Sequence, residues 1–457
     1  MAMNVNDQHV EQEEFRVVLV LPWSGLILAE RHGNSLPLPR IIITSRARLA
    51  YQFEETARQR WNTAIVVIDI LLGESNVSPC AVIEVRSRCW QFTDYGLTSI
   101  PIEAFGDTDL SPSECLTIKK IIAGNIESRG PFSRIGWLDD AQAWVRHTVQ
   151  DDDLRFDTIR QYTATGHFAL VRFESSRGSI YWMKAVGVPN THELQVTQAI
   201  TRCCPRFVPP ILAVRSDWNA WISVDSGQPV GTFSCFALCQ QVAESLAQMQ
   251  LASATHIEAL RTNGCFDLRS SVVLRHMPDL VSYLKAAMAD QTSAKVEPIT
   301  PIRLDELASL LCRASEAIES FGIPNTLIHN DLNPGNILFD GRNAVFIDWA
   351  EACIGMPWFT FHHLYTEVVE RNETHANPVQ LKRAYLNHWR LFLDESQMER
   401  AFVLSRPLGI ASYLFGRDPA FTSPLRHSSS VQRYARSLAR HIDRIARTRT
   451  FQEALCS

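Results

Sequence analysis

One stretch constrains this chain more than any other: Leu327-Ile-His-Asn-Asp-Leu-Asn-Pro-Gly-Asn-Ile-Leu-Phe339, followed by Ala344-Val-Phe-Ile-Asp-Trp349. Two short runs of β-branched and aromatic residues flank a polar loop, which reads as strand, loop, strand. Asn333, Pro334 and Gly335 are ordinary turn residues and explain a bend. They do not explain His329, Asp331, Asn336 and Asp348 standing in register around it. Asp331 is an acid placed to accept a proton. Asn336, five positions later, and Asp348, twelve beyond that, add an amide oxygen and a second carboxylate, hard donors of the kind a small divalent cation prefers.

The His-x-Asp-x-x-x-x-Asn spacing followed by a further acid resembles the catalytic loop and metal-binding Asp of kinases. The loop reads His-Asn-Asp-Leu-Asn-Pro-Gly-Asn, and the second acid sits in Ile347-Asp348-Trp349 rather than in Asp-Phe-Gly. In these details the sequence is similar to the aminoglycoside phosphotransferase and choline kinase group, small-molecule kinases with a protein-kinase-like fold. The agreement is continuous from Leu327 to Gly355. The resemblance implies an ATP-dependent phosphotransferase with a small-molecule hydroxyl as acceptor. Asp331 would act as the base, His329 would brace the loop, and Asn336 and Asp348 would hold Mg²⁺ on the nucleotide. Phosphoryl transfer asks the protein mainly for positioned oxygen ligands, charge and one base.

The same resemblance places a lysine on a strand of the amino-terminal lobe, aimed at the phosphates and paired with a glutamate of the next helix. Gly178-Ser-Ile-Tyr-Trp-Met-Lys184 is strand-like, and Lys184 is the only lysine between Lys120 and Lys285. Glu193 is the only acid between Glu174 and Asp217, at the start of a helix-like segment. Lys184 and Glu193 are therefore the expected nucleotide-binding pair. Of the three glycines that protein kinases use over the phosphates, only Gly166 is present.

Beyond residue 230 the pattern is helical: 236–249, 276–288 and 304–321 carry apolar residues at helical spacing. The last of these, with Leu307, Leu311, Ala314 and Ile318 on one face, is expected to pack under the catalytic loop. After Asp348 the chain departs from the family, because Met356 and Thr360 replace two acids that brace the loop. That departure keeps open an alternative, a nucleotide-binding pseudokinase with a regulatory or scaffolding role. A protein kinase is disfavoured by the missing Asp-Phe-Gly and Ala-Pro-Glu elements. Arg433, Arg436, Arg440, Arg444 and Arg447 form a basic stripe near the end, which reads more simply as a solvated helix face than as an anionic-partner site. Glu351, Glu367, Glu370 and Glu373 read as surface acids.

At 457 residues the chain exceeds one compact core. The expected fold is α+β: a protein-kinase-like bilobal fold, β-rich then helical, preceded by a small α/β accessory domain. The divisions read as 1–130 for the accessory domain, 131–230 for the amino-terminal lobe with its leading helix Trp137–Val149, and 231–457 for the helical lobe. Ser128-Arg-Gly-Pro-Phe132 is a turn-rich candidate linker. In the accessory domain, a strand pair, a Leu36-Pro-Leu-Pro39 loop and a helix beginning Glu54-Glu55 resemble a Nudix-like scaffold, and an unrelated accessory α/β domain is the equal alternative. The glutamate-rich signature is absent after Glu55, so Nudix hydrolase chemistry is not implied. A net charge of −5 gives no sign of nucleic-acid binding. Eleven scattered cysteines, with Cys203-Cys204 the only close pair, suggest reduced thiols in a cytoplasmic protein. No signal-peptide pattern opens the sequence, and the run Ile65–Leu72 is too short to cross a membrane.

Overall fold

A computed structural model describes residues 12–457 except 34, 45–47, 73–76, 106–108, 126–128, 151–155, 232–235, 372–376, 417 and 419. The linker residue Ser128 and the surface acid Glu373 lie outside the described residues. The chain forms two compact units. One comprises residues 3–194 and 210–225, the other 195–209 and 226–457.

The first unit is built on two sheets. The larger contains β1 (Glu13–Val20), β2 (Ile27–Glu30), β3 (Arg40–Ile43), β4 (Ile65–Leu71), β5 (Cys80–Val85) and β6 (Leu97–Ile100). Its order is β4-β5-β1-β2-β6, with β3 also on β1; only the β1–β5 pair is parallel. Helix α1 (Leu49–Trp61) packs Phe53, Ala57 and Trp61 on one face of it. Helices α2 (Pro112–Ile122) and α3 (Trp137–Val149) share the core on the other face. Strands buried on both faces read as the continuous Val/Ile/Leu runs seen in β1 and β4.

The smaller sheet is antiparallel. It contains β7 (Phe156–Thr165), β8 (Phe168–Ser175) and β9 (Ile180–Ala185), then helix α4 (Glu193–Cys203), then β10 (Ile211–Arg215) and β11 (Ala220–Val224), in the order β10-β11-β9-β8-β7. Alternation along β8 and β9 sorts its faces. Ala169, Val171, Phe173, Met183, Ala185, Ala220 and Ile222 join the same core as Val18, Val82, Ile118, Phe132 and Trp137. Residues from both sides of the expected boundary at 130 thus share this core, while Phe15, Phe53, Trp61 and Ile83 belong to a second core within the amino-terminal residues. Gln161 of β7 locks the two sheets: its amide donates to the Val67 carbonyl and accepts from the Val67 N–H, both at 2.9 Å.

The second unit is mainly helical. After β12 (Gln228–Pro229) come α5 (Phe236–Ser253), α6 (Ile257–Thr262), β13 (Phe266–Leu268), α7 (Ser270–Arg275), α8 (Met277–Ala289) and α9 (Pro301–Glu319). Strands β14 (Thr326–His329), β15 (Ile337–Phe339), β16 (Ala344–Phe346) and β17 (Ala352–Gly355) follow. Helices α10 (Trp358–Tyr365), α11 (Pro378–Leu386), α12 (Glu395–Phe415), α13 (Ser429–Ala446) and α14 (Arg449–Cys456) complete it. The strands make two small sheets, β12-β15-β16 and β13-β17-β14. The α+β class, strands first and helices after, is what the chain adopts.

One expectation is corrected. Helix α9 packs against α8 and α12. The strand that carries the polar loop is held by α5 instead, because Ser253 of α5 accepts the Leu327 N–H at 2.8 Å. The basic stripe on α13 is partly tied down as well: Arg436 donates to the Ala287 carbonyl at 2.8 Å, Arg440 to the side chain of Gln291, and Arg447 pairs with Asp443. No helix among the described residues is long and apolar enough to cross a membrane.

Candidate active site

Strand β14 delivers the loop, and three helices fix it from behind. The His329 N–H donates to the Thr360 hydroxyl at 3.0 Å. Thr360 lies on α10 and is 1% exposed. Ser412 of α12 donates to Asn330 Oδ1 at 3.0 Å. Gln250 of α5 donates to the Pro357 carbonyl at 2.7 Å and accepts from the buried Tyr385 hydroxyl. Thr360, expected from the sequence to be a lost brace, therefore braces the loop through its hydroxyl oxygen.

The loop itself is a compact set of turns. Asn333 Oδ1 accepts from the Gly335 N–H at 2.9 Å, an Asx turn that leads into one turn of 3₁₀ helix at Pro334–Asn336. Asn336 Nδ2 donates to the Asp331 carbonyl at 2.8 Å and reaches Asp331 Oδ2 at 3.3 Å. The Ile347 N–H donates to the Asn336 carbonyl at 3.0 Å, so the second strand is tied back to the loop. His329 sits at the centre. Its Nδ1 accepts from the Asp331 N–H at 3.3 Å and its Nε2 donates to the Ile347 carbonyl at 2.8 Å. Those partners select the neutral ring with the proton on Nε2. Burial pushes the His329 pKa down, against the attraction of Asp331 and Asp348. The imidazole is a brace, and both carboxylates lie within its electrostatic reach.

Asp348 follows the second strand in a left-handed conformation, φ 66° and ψ 65°. A non-glycine residue held there is uncommon, and such strain concentrates at functional positions. Its side chain is exposed, while Asp331 and Asn336 are half-buried.

In the first unit, Lys184 lies on β9 between Leu170 of β8 and Trp221 of β11. Its ammonium contacts Glu193, the first residue of α4, which is 1% exposed. The ammonium also stands 5.7 Å from the Trp221 ring centroid. Leu194 packs with Val186 and Trp221, which seats the start of α4 on the sheet. The Lys184–Glu193 pair and the Asp331–Asn336 pair are thus each formed, in separate units.

Two further residues of this neighbourhood have contacts that their sequence positions do not show. Trp182 stands two positions before Lys184 on the same sheet face, and its indole N–H donates to Asp225 at 2.7 Å. The period-two spacing from Lys184 is the signal that would have found it. Gly166 has a structural reason: a Cβ there would lie 1.9 Å from the Arg129 carbonyl oxygen and 2.1 Å from Ser133 Oγ. The Phe132 N–H donates to the Gly166 carbonyl at 3.1 Å, so the β7–β8 turn is packed under residues 129–133.

Donor chemistry decides whether a cation and a nucleotide fit. Asn336 donates through its nitrogen, which leaves its amide oxygen free of that bond. Among the described residues no three His, Cys, Asp or Glu side chains cluster as a metal cage. One carboxylate and one amide oxygen suit Mg²⁺, which usually keeps several waters and takes phosphate oxygens rather than a full protein shell. In the large sheet the acids are engaged otherwise: Glu54 pairs with Arg58, Asp69 with Arg129 and Ser133, and Glu84 with Arg86.

Comparison with known families agrees with the loop. Residues 220–394 match the phosphotransferase enzyme family. The match contains the whole stretch from Leu327 to Gly355 on which the resemblance rests. No curated protein sequence matches significantly. Among solved structures, a choline/ethanolamine kinase family protein from Mesorhizobium loti is similar at 13% identity and TM-score 0.46, covering 70% of this chain and 98% of its own. A macrolide 2′-phosphotransferase from Brachybacterium faecium gives 14% and 0.42, covering 66% and 97%. An aminoglycoside phosphotransferase from Alicyclobacillus acidocaldarius gives 16% and 0.42, covering 68% and 94%.

Proposed function

We propose that this chain transfers the terminal phosphoryl group of ATP to a hydroxyl of a small molecule. The observation that carries the reading is the Asp331–Asn336 pair, formed in a loop braced on three sides, with Asp348 held in a strained conformation after the following strand. Asp331 offers a carboxylate oxygen to the acceptor hydroxyl and takes its proton. The Asn336 amide holds that carboxylate in place and turns its own oxygen outward. Lys184, fixed by Glu193, places positive charge for the nucleotide phosphates, and Trp182 on the same face offers a flat ring to the base. Mg²⁺ held by Asn336 and Asp348 would supply charge neutralisation at the phosphates. His329, neutral and buried, keeps Asp331 oriented and exchanges no proton.

The retained brace at Thr360 supports catalysis over the pseudokinase alternative, since the loop keeps its hydrogen bond from behind. The test is Mg²⁺-dependent ADP release from ATP across a panel of aminoglycosides, choline, amino alcohols and sugars, with Asp331→Asn as control. Release that an acceptor stimulates, and that the mutant loses while still binding ATP, supports the reading. ATP binding with no stimulation by any acceptor would reverse it.

A further inference from the structure

Cys203 is the last residue of α4, and Cys204 follows it outside the helix at φ −133° and ψ 50°. Their sulfurs are 3.5 Å apart, in van der Waals contact. Cys203 is half-exposed; Cys204 is buried and also lies 3.6 Å from the Met249 carbonyl oxygen. One thiol thus faces solvent while its neighbour waits beneath it. The hydrogen bond between them lowers the Cys203 pKa, with burial acting the other way, and the same bond together with burial raises that of Cys204. Cys203 is therefore the attacking sulfur and Cys204 the resolving one.

We infer that Cys203-Cys204 is a redox modification site, a vicinal dithiol that closes to a disulfide by exchange with a small-molecule disulfide such as glutathione disulfide. The Cys203 thiolate attacks one sulfur of glutathione disulfide, and a glutathione thiolate leaves. Once Cys203 is bonded in this way its negative charge is gone, and Cys204 gives up its proton to water. The Cys204 sulfur then attacks Cys203 and expels the second glutathione. Two protein thiols are oxidised and one glutathione disulfide is reduced to two thiols.

The ring so formed contains the 203–204 peptide. Adjacent Cα atoms lie about 3.8 Å apart, below the roughly 4.4–6.8 Å of relaxed disulfides. A strained disulfide is readily reduced again, which suits a reversible site rather than a structural cross-link. The bond from the Cys204 N–H to the Ile200 carbonyl, 2.7 Å, closes the last turn of α4, and bending the 203–204 peptide into the ring breaks it. The same helix begins with Glu193, the partner of Lys184.

The experiment uses the full chain, reduced and then incubated with glutathione disulfide, digested with trypsin and mapped by mass. The peptide Cys203–Arg206 is expected to lose two hydrogens and to carry no glutathione. In Cys204→Ser the same peptide keeps one glutathione on Cys203. Glutathione retained on Cys203 of the wild type overturns the inference. So does a pair left untouched while the exposed Cys89 and Cys456 are modified. Hydrogen exchange on the oxidised wild type supplies a readout without mutation. Faster exchange at 200–204 that dithiothreitol reverses is expected, and unchanged exchange there overturns the link to the helix.

Discussion

At the scale of single residues, the loop depends on groups that no motif names. Thr360→Val keeps the shape and removes the oxygen that accepts the His329 N–H. A buried N–H left unpaired costs about 1–3 kcal/mol. We expect Thr360→Val to lower the unfolding free energy read from urea titration by that amount and to lower turnover, and Thr360→Ser to restore both. Equal stability in the valine variant would show that the bond contributes nothing. Two buried histidines set a pH dependence. His329 is held neutral by burial, and burial lowers His362, beside Ser405, to about 3. The unfolded chain protonates both near the ordinary value of about 6.5. Their folded-state pKa values are depressed, so below that pH the unfolded state binds protons that the folded state does not. Stability is then expected to fall as pH drops from 6.5 toward 5, approaching about 1.4 kcal/mol per pH unit for His362 at the acid end, with His329 acting in the same direction, and to be flat in this respect above about 7. Urea titrations at several pH values measure the slope, and His362→Gln should remove its share.

At the scale of elements, periodicity carried most of the structure and failed where contacts cross between elements. Helix α3 was expected and observed at Trp137–Val149, because its apolar residues repeat at helical spacing with acids in the first turn. The partner of the loop strand was misassigned. Leu307, Leu311, Ala314 and Ile318 mark a buried face of α9 but do not say what it is buried against, whereas Ser253 of α5, inconspicuous in sequence, makes the bond to the strand. Gln161 is the same kind of residue: a polar position in a strand that grips the Val67 peptide at both ends. Gln161→Leu strands a buried N–H and a buried carbonyl, each costing about 1–3 kcal/mol. We expect a lower denaturation midpoint with nucleotide affinity unchanged, since Lys184 lies on β9 and Glu193 on α4. A midpoint equal to wild type would mean that the two sheets are held by apolar packing alone.

At the scale of the whole molecule, the amino-terminal segment is structural for the lobe that follows it. Val171, Phe173, Met183 and Ile222 on one face of the smaller sheet share a core with residues from β1, β4, β5 and α2. Removing residues 1–125 uncovers these apolar side chains, each worth about 1.5–3 kcal/mol when buried, and the sum is comparable to a typical domain stability of about 5–15 kcal/mol. The truncated chain is expected to be insoluble or without a cooperative thermal transition. A soluble fragment melting near the wild-type temperature would refute the shared core. The sequence by itself determined the α+β class, most of the helices, the identity of the loop, and Asp331, Asn336, Asp348, Lys184 and Glu193 as its candidate chemistry. These rest on local periodicity and on residue types at short fixed spacing, both written along the chain. Only the tertiary structure decided that Thr360 braces the loop, that Gly166 is small because Arg129 crosses it, that α5 rather than α9 holds the strand, and that residues from two expected domains share one core. Each of those depends on atoms brought together from distant positions, and a contact across 30 or 100 residues leaves no mark in the spacing of either partner.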